Sequence, residues 1–221
     1  MAPEDWENEV VLEREASKSR RRVPGVTMFP STHDITPNNL GACDRLLKNY
    51  LKPGNPILVV SKPRLACVHR LCDELAAYKR QMLFRFTIGV MDTDLRSFWE
   101  PGAPEFRERL ASLRYASEAG YATSISAEPL LEPWNVQTLV EAVRPFVTHS
   151  IWIGKANHLR RRTAWRLRPD DPEIVRLERW QTDEKVLEIY KLLKADPLIR
   201  WKDSYKKVAG IRRPQRPGLD V

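Results

Sequence analysis

The chain is poor in cysteine, in glycine and in long apolar runs, and each shortage closes off a class of protein. Three Cys in a 25.7 kDa chain cannot form a disulfide scaffold and fit a reducing cytoplasm, so a cytoplasmic location is expected. Nine Gly, with no glycine-rich phosphate loop among them, disfavour dinucleotide and nucleoside triphosphate folds. No apolar stretch approaches the roughly 18–20 residues of a membrane helix, so no membrane partner is expected. The acidic start, MAPEDWENEVVLERE, lacks the apolar region of a signal peptide. No repeat of fixed period and no low-complexity tract is present.

What the chain does have is 221 residues of ordinary globular composition, 42% hydrophobic and 30% charged, enough for one large domain or two small ones. The net charge of +8 is unevenly placed. Residues 1–149 carry 19 Lys and Arg against 19 Asp and Glu, whereas residues 150–221 carry 18 against 10. A neutral body with a basic C-terminal third suits a core with an anion-facing surface, or equally a solvated arginine-rich tail.

Apolar runs alternate with helical patterns. Residues 5–22 read as a polar helix broken at Pro24-Gly25. Five strands are predicted at 26–29, 57–60, 83–91, 121–127 and 150–153. Helices are predicted from Thr36 (as N-cap) to Leu51, and over 65–78, 106–119, 136–143 and 183–193, with Gly120 ending the third. Continuous apolar strands alternating with helices, without a hairpin signal, imply a parallel sheet covered by helices. Each strand is followed by a polar cluster: Ser31-Thr32-His33-Asp34, Ser61-Lys62, Asp92-Thr93-Asp94, Glu128-Pro129 and Lys155-Ala156-Asn157. In a barrel these loops would converge on the C-terminal face; in an open sheet, one or two would gather at a switch point. Arg85 and Thr87 share one face of their strand by parity, as do Ser124, Ser126 and Glu128. Arg85 inside an apolar strand must be paired, to Glu128 or Asp34 for instance, or face a polar lumen. Arg109 has either a rim role or a surface pairing with Glu105 or Glu108.

The segments GVTMFPSTHDITPNNL, NPILVVSKP, LFRFTIGVMDTDLRSFWEPGAPEFRERL, GYATSISAEPLLEP and HSIWIGKAN resemble the barrel core of radical S-adenosylmethionine proteins, in the branch that includes spore photoproduct lyase-like proteins. The resemblance runs from about Val26 to Asn157. It implies a partial (βα) barrel of parallel strands that binds S-adenosylmethionine and, in a complete form, a four-iron, four-sulfur cluster generating a 5′-deoxyadenosyl radical. A flavodoxin- or ferredoxin-type reductant would then be a partner. On this reading 1–24 is a polar helical lead-in, 25–157 the barrel core, and 158–221 a basic helical extension.

The family's Cys-x3-Cys-x2-Cys motif is absent, and the first strand, its loop and part of its helix are expected to be missing. Cys43, Cys67 and Cys72 have another setting: Cys67 and Cys72 fall about 140° apart around one helix, and Cys43 lies on another. The chain alone is therefore expected to be cluster-free and inactive, with no metal ligands. For S-adenosylmethionine, the resemblance implies contacts from Ser31, Thr32, His33 and Asp34 to the amino group, though the Gly-Gly-Glu form is absent. It further implies roles for Ser61 and Lys62, for Arg85 (methionine carboxylate or a substrate phosphate) and Thr87, for Ser124, Ser126 and Glu128, and for Lys155 and Asn157. Trp152 is a candidate stacking ring. HLRRRTAWRLR sets Trp165 among five arginines, a composition suited to phosphate contact and base stacking, so nucleic acid is a candidate partner. The alternative is a catalytically inactive barrel whose basic end binds nucleic acid or an acidic partner.

Overall fold

The computed structural model describes residues 12–214. Its centre is one sheet of six parallel strands: β1 Thr27–Phe29, β2 Ile57–Ser61, β3 Met82–Thr87, β4 Ala122–Ala127, β5 Ser150–Ile153 and β6 Ile199–Trp201. They lie side by side in chain order, each paired only with its sequence neighbours. The helices are α1 Glu13–Ala16, α2 Leu40–Leu51, α3 Leu65–Glu74, α4 Thr93–Trp99, α5 Phe106–Glu118, α6 Val136–Val143, α7 Leu159–Thr163, α8 Pro172–Arg179, α9 Asp183–Leu193 and α10 Asp203–Ala209.

Consecutive order has a physical consequence. Parallel crossovers share one hand, so successive connections without a reversal place their helices on one side of the sheet. The core shows that side. Phe29, Ile57, Val59, Phe84, Phe86, Ile125, Ile151 and Ile153 pack with Leu47 and Leu51 of α2, Leu71 of α3, Leu113 of α5, Val140 of α6 and Ile189 of α9. Each fully buried Leu or Phe contributes about 1.5–3 kcal/mol, so this layer dominates the stability. The alternate residues face the other way and stay outside that core. Met28 is half exposed, Val60, Leu83, Thr87 and Ala122 are partly exposed, and Arg200 is exposed. The sheet therefore has one apolar, helix-covered face and a second, more polar face, the open face, where Met28, Val60, Thr87 and Arg200 reach solvent while Leu58, Arg85, Ser124, Ser126, Ser150 and Trp152 are buried.

Local chemistry explains where the expected boundaries move. Helix α2 begins at Leu40, not at Thr36, because Asn39 Oδ1 accepts the Thr36 N–H at 2.9 Å and closes a turn first. The expected strand 83–91 leaves the sheet after Thr87. Ile88 still donates to the Ser126 carbonyl, but Gly89 then lies against Pro129, where a Cβ would come 2.1 Å from the Pro129 carbonyl oxygen. Asp92, read as loop, caps α4 by accepting from Leu95 N–H at 2.8 Å. Helix α3 ends at Glu74 and tightens into a 3₁₀ turn over Ala76–Gln81 before β3. Gly120, at φ +81°, follows α5 as expected.

Two corrections concern the ends. Among the described residues of the expected 5–22 helix, only Glu13–Ala16 are helical, since Ala16 alone buries against the body; residues 5–11 lie outside the described residues. The C-terminal extension is not purely helical. It supplies β6, which pairs with β5 from Ile199 to Trp201, and α10, whose Tyr205 stacks on Trp201 at 5.3 Å. Ile211 packs against the core, and residues 215–221 lie outside the described residues. Among the described residues, no helix is long and apolar enough to cross a membrane.

Candidate functional site

Polar side chains gather in three places, all set by strand register. The first is the row Arg85, Ser124 and Ser150 across β3, β4 and β5 of the open face. Arg85 Nε donates to Ser124 Oγ at 3.2 Å, and Ser124 Oγ lies 2.7 Å from the Ser150 carbonyl. Ser150 Oγ is in turn within 3.0 Å of Ser124 Oγ, accepts from Trp152 Nε1 at 3.0 Å and meets His149 Nδ1 at 2.9 Å. Arg85 is 6% exposed, makes no ion pair among the described residues, and its buried Nη2 has no hydrogen-bond partner. Burial alone pulls its pKa down from 12.5 to about 10. His149 is held below the ordinary 6.5, first by burial and then by the charges of Arg85 and Arg200. The pairing of Arg85 with Glu128 or Asp34, open on sequence grounds, is not what the fold forms.

The second place is the next row towards the C-terminal ends: Thr87, Ser126, Trp152 and Arg200. Above it Glu128 Oε2 pairs with Lys202 Nζ at 3.1 Å, and Asn157 Nδ2 donates to Glu128 Oε1 at 3.4 Å. Gly154 makes room for this pair, since a Cβ there would stand 2.9 Å from both Glu128 Oε1 and the Lys202 Cβ. Lys202 Nζ and Lys206 Nζ lie 5.3 and 6.0 Å from the Trp152 ring centroid. Lys155 turns away: its N–H donates to Ser204 Oγ and its Nζ lies 3.7 Å from Asp183.

The third place is the rim over β1–β3. Asp34 Oδ1 accepts the Lys62 N–H at 2.7 Å and lies 3.3 Å from Ser61 Oγ, which itself accepts the Ile35 N–H. Lys62 Nζ stands 3.4 Å from Asp34 and 3.7 Å from Glu100. Glu100 also accepts from Arg109 Nη2 at 2.6 Å. Arg109 is fully buried and donates to the carbonyls of Pro104 and Thr87, so it is an internal strut; neither Glu105 nor Glu108 is its partner. Ser31, Thr32 and His33 are exposed in the loop before Asp34.

Parity pairs Arg85 with Thr87 and Ser124 with Ser126 within their strands, and register brings the two sets side by side. Sequence reasoning passed over His149, Ser150, Glu100 and Lys202; their places depend on strand register and, for Glu100, on how a loop closes. Cys43, Cys67 and Cys72 are buried in the apolar core among helix residues, and burial pushes the Cys72 thiol up to about 12. Among the described residues, no three His, Cys, Asp or Glu side chains are grouped to hold a metal ion.

The fold and site define an α/β protein with a single all-parallel sheet. No family model matches the chain, and no solved structure matches it. It is similar to the uncharacterized protein ORF301 of Acidianus two-tailed virus, with 29% identity over 113 residues, 51% of this chain and 37% of that protein. The chain thus spans little more than a third of the length of that relative.

Proposed function

We propose that the chain is a partial (βα) barrel of radical S-adenosylmethionine type whose open face binds S-adenosylmethionine. The observation that carries this reading is the sequentially ordered parallel sheet with polar side chains in register on one face. The donor set suits the ligand. Asp34 would accept from its ammonium, Lys62 would meet its carboxylate, and Thr87, Ser126, Glu128 and Asn157 would serve the ribose and base. S-adenosylmethionine would supply the adenosyl group; these residues would bind and orient it.

An iron–sulfur cluster does not fit these residues. The three thiols are buried on helices on the covered side of the sheet, so a cluster needs thiolates from outside this chain. No radical step is assigned to the chain alone, and a reductant such as flavodoxin or ferredoxin would serve only a cluster-bearing form. Equilibrium binding of S-adenosylmethionine to wild type and to Thr87→Trp, which fills the open face from a partly exposed position, tests the reading.

A second reading, an inactive barrel that binds nucleic acid through its basic end, is favoured by one surface. Arg176 lies 3.9 Å over the Trp134 ring, Trp134 lies 5.9 Å from Trp180, and Arg176, Arg179 and Trp180 line a cavity of about 410 Å³. Trp165 is 53% exposed. Guanidinium and indole groups together suit backbone contact and base stacking. Affinity for single-stranded DNA should then fall steeply between low and moderate salt; salt-independent binding removes this reading.

A further inference from the structure

A buried guanidinium without a counter-charge is costly, and folds rarely keep one without a use. Among the described residues Arg85 is such a group: nine-tenths buried, without an ion pair, and with Nη2 unpartnered. Its charge is not diluted by neighbours. Within the β3–β6 half of this face, Arg200, Lys202 and Lys206 add cations, and Glu128 pairs with Lys202. The carboxylates of the opposite rim, Asp34 and Glu100, are engaged by Lys62 and Arg109. Hydroxyls of Ser124 and Ser150 and the imidazole of His149 complete a polar wall beside Arg85.

From this geometry we infer that the Arg85–Trp152 region of the open face is a binding site for a phosphoryl dianion, carried by a phosphorylated ligand. A dianion suits the site better than a carboxylate, because several cations converge there and a phosphate offers three oxygens to guanidinium, ammonium and hydroxyl donors at once. Trp152 holds the cations in place: Arg85 lies 5.0 Å from its ring centroid and its indole N–H is tied to Ser150. The inference shares the open face with the S-adenosylmethionine reading but uses different residues and a different ligand.

The test is thermal melting of the full chain in inorganic phosphate against chloride at matched ionic strength, for wild type and Arg85→Met. Wild type is expected to melt about 5 °C or more higher once phosphate is near a hundredfold over its dissociation constant. Arg85→Met is expected to lose that rise and to bind phosphate at least about tenfold more weakly. In chloride the variant should melt no lower than wild type, since an apolar replacement removes an uncompensated buried charge. That combination separates a ligand site from a structural arginine, whose loss lowers melting in both salts. A phosphate rise no larger than in chloride, or one retained by Arg85→Met, overturns the inference. The phosphate readout contains no S-adenosylmethionine, so its failure leaves the binding reading, which is tested through Thr87, standing or falling by itself.

Discussion

The guanidinium of Arg85, on β3, lies 5.0 Å from the centroid of the Trp152 ring, on β5, across the width of β4. The contact exists because Arg85 stands opposite Ser124, whose hydroxyl accepts from its Nε and frees the planar group to lie over the indole. Arg85, Ser124 and Trp152 thereby meet across three adjacent strands.

The His149 imidazole reports this charge. Its pKa is lowered from 6.5, so the unfolded chain binds the proton more readily than the folded one. The stabilising contribution is fully present above pH 6.5 and is lost as pH falls through the lowered value. Arg85→Met should raise the His149 pKa towards 6.5 in imidazole NMR titrations, narrowing that acid loss. An unchanged titration would show that Arg85 and His149 are not electrostatically coupled.

Arg109 should be the most sensitive charged residue for stability. It is fully buried, bonds two carbonyls and pairs with Glu100 at 2.6 Å. Arg109→Met breaks that buried pair and leaves Glu100 to Lys62 alone, at a cost of about 3–5 kcal/mol in urea unfolding. A loss below about 1 kcal/mol would mean that Lys62 compensates fully.

Gly89→Ala should destabilise through backbone rather than side-chain crowding. The new Cβ would lie 2.1 Å from the Pro129 carbonyl oxygen, which cannot swing aside as a side chain can. Overpacking of this kind costs about 1–3 kcal/mol. Unfolding midpoints that match wild type would show that the β4–β5 connection yields.

The thiols should be inert. All three are buried, and Cys72 is raised to about 12 by desolvation. A thiol reagent should label none of them in the native chain and all three in denaturant. Anaerobic iron and sulfide reconstitution should leave the chain colourless, and dithionite with S-adenosylmethionine should give no 5′-deoxyadenosine. Turnover abolished by Cys67→Ala would reverse this.

The first five strands are legible as apolar runs, and parity pairs Arg85 with Thr87 on one strand and Ser124 with Ser126 on another, while register sets the two pairs side by side. β6 is not legible: Ile199-Arg200-Trp201 interrupts its apolar residues with an exposed arginine. Helix α4 was hidden by Asp92, whose capping role looks like loop polarity in sequence. The partners of Arg85 and Arg109 depend on register between strands and on a loop closing through Glu100, which are long-range facts. Periodicity reports which face a residue takes and says nothing of what it meets there.

Calorimetric titration of S-adenosylmethionine into wild type and Thr87→Trp tests the central claim most directly. The account predicts one-to-one saturable binding to wild type and loss of binding in Thr87→Trp, with both chains equally folded by circular dichroism. No saturable heat at millimolar S-adenosylmethionine, or equal binding by both chains, would contradict the assignment of the open face.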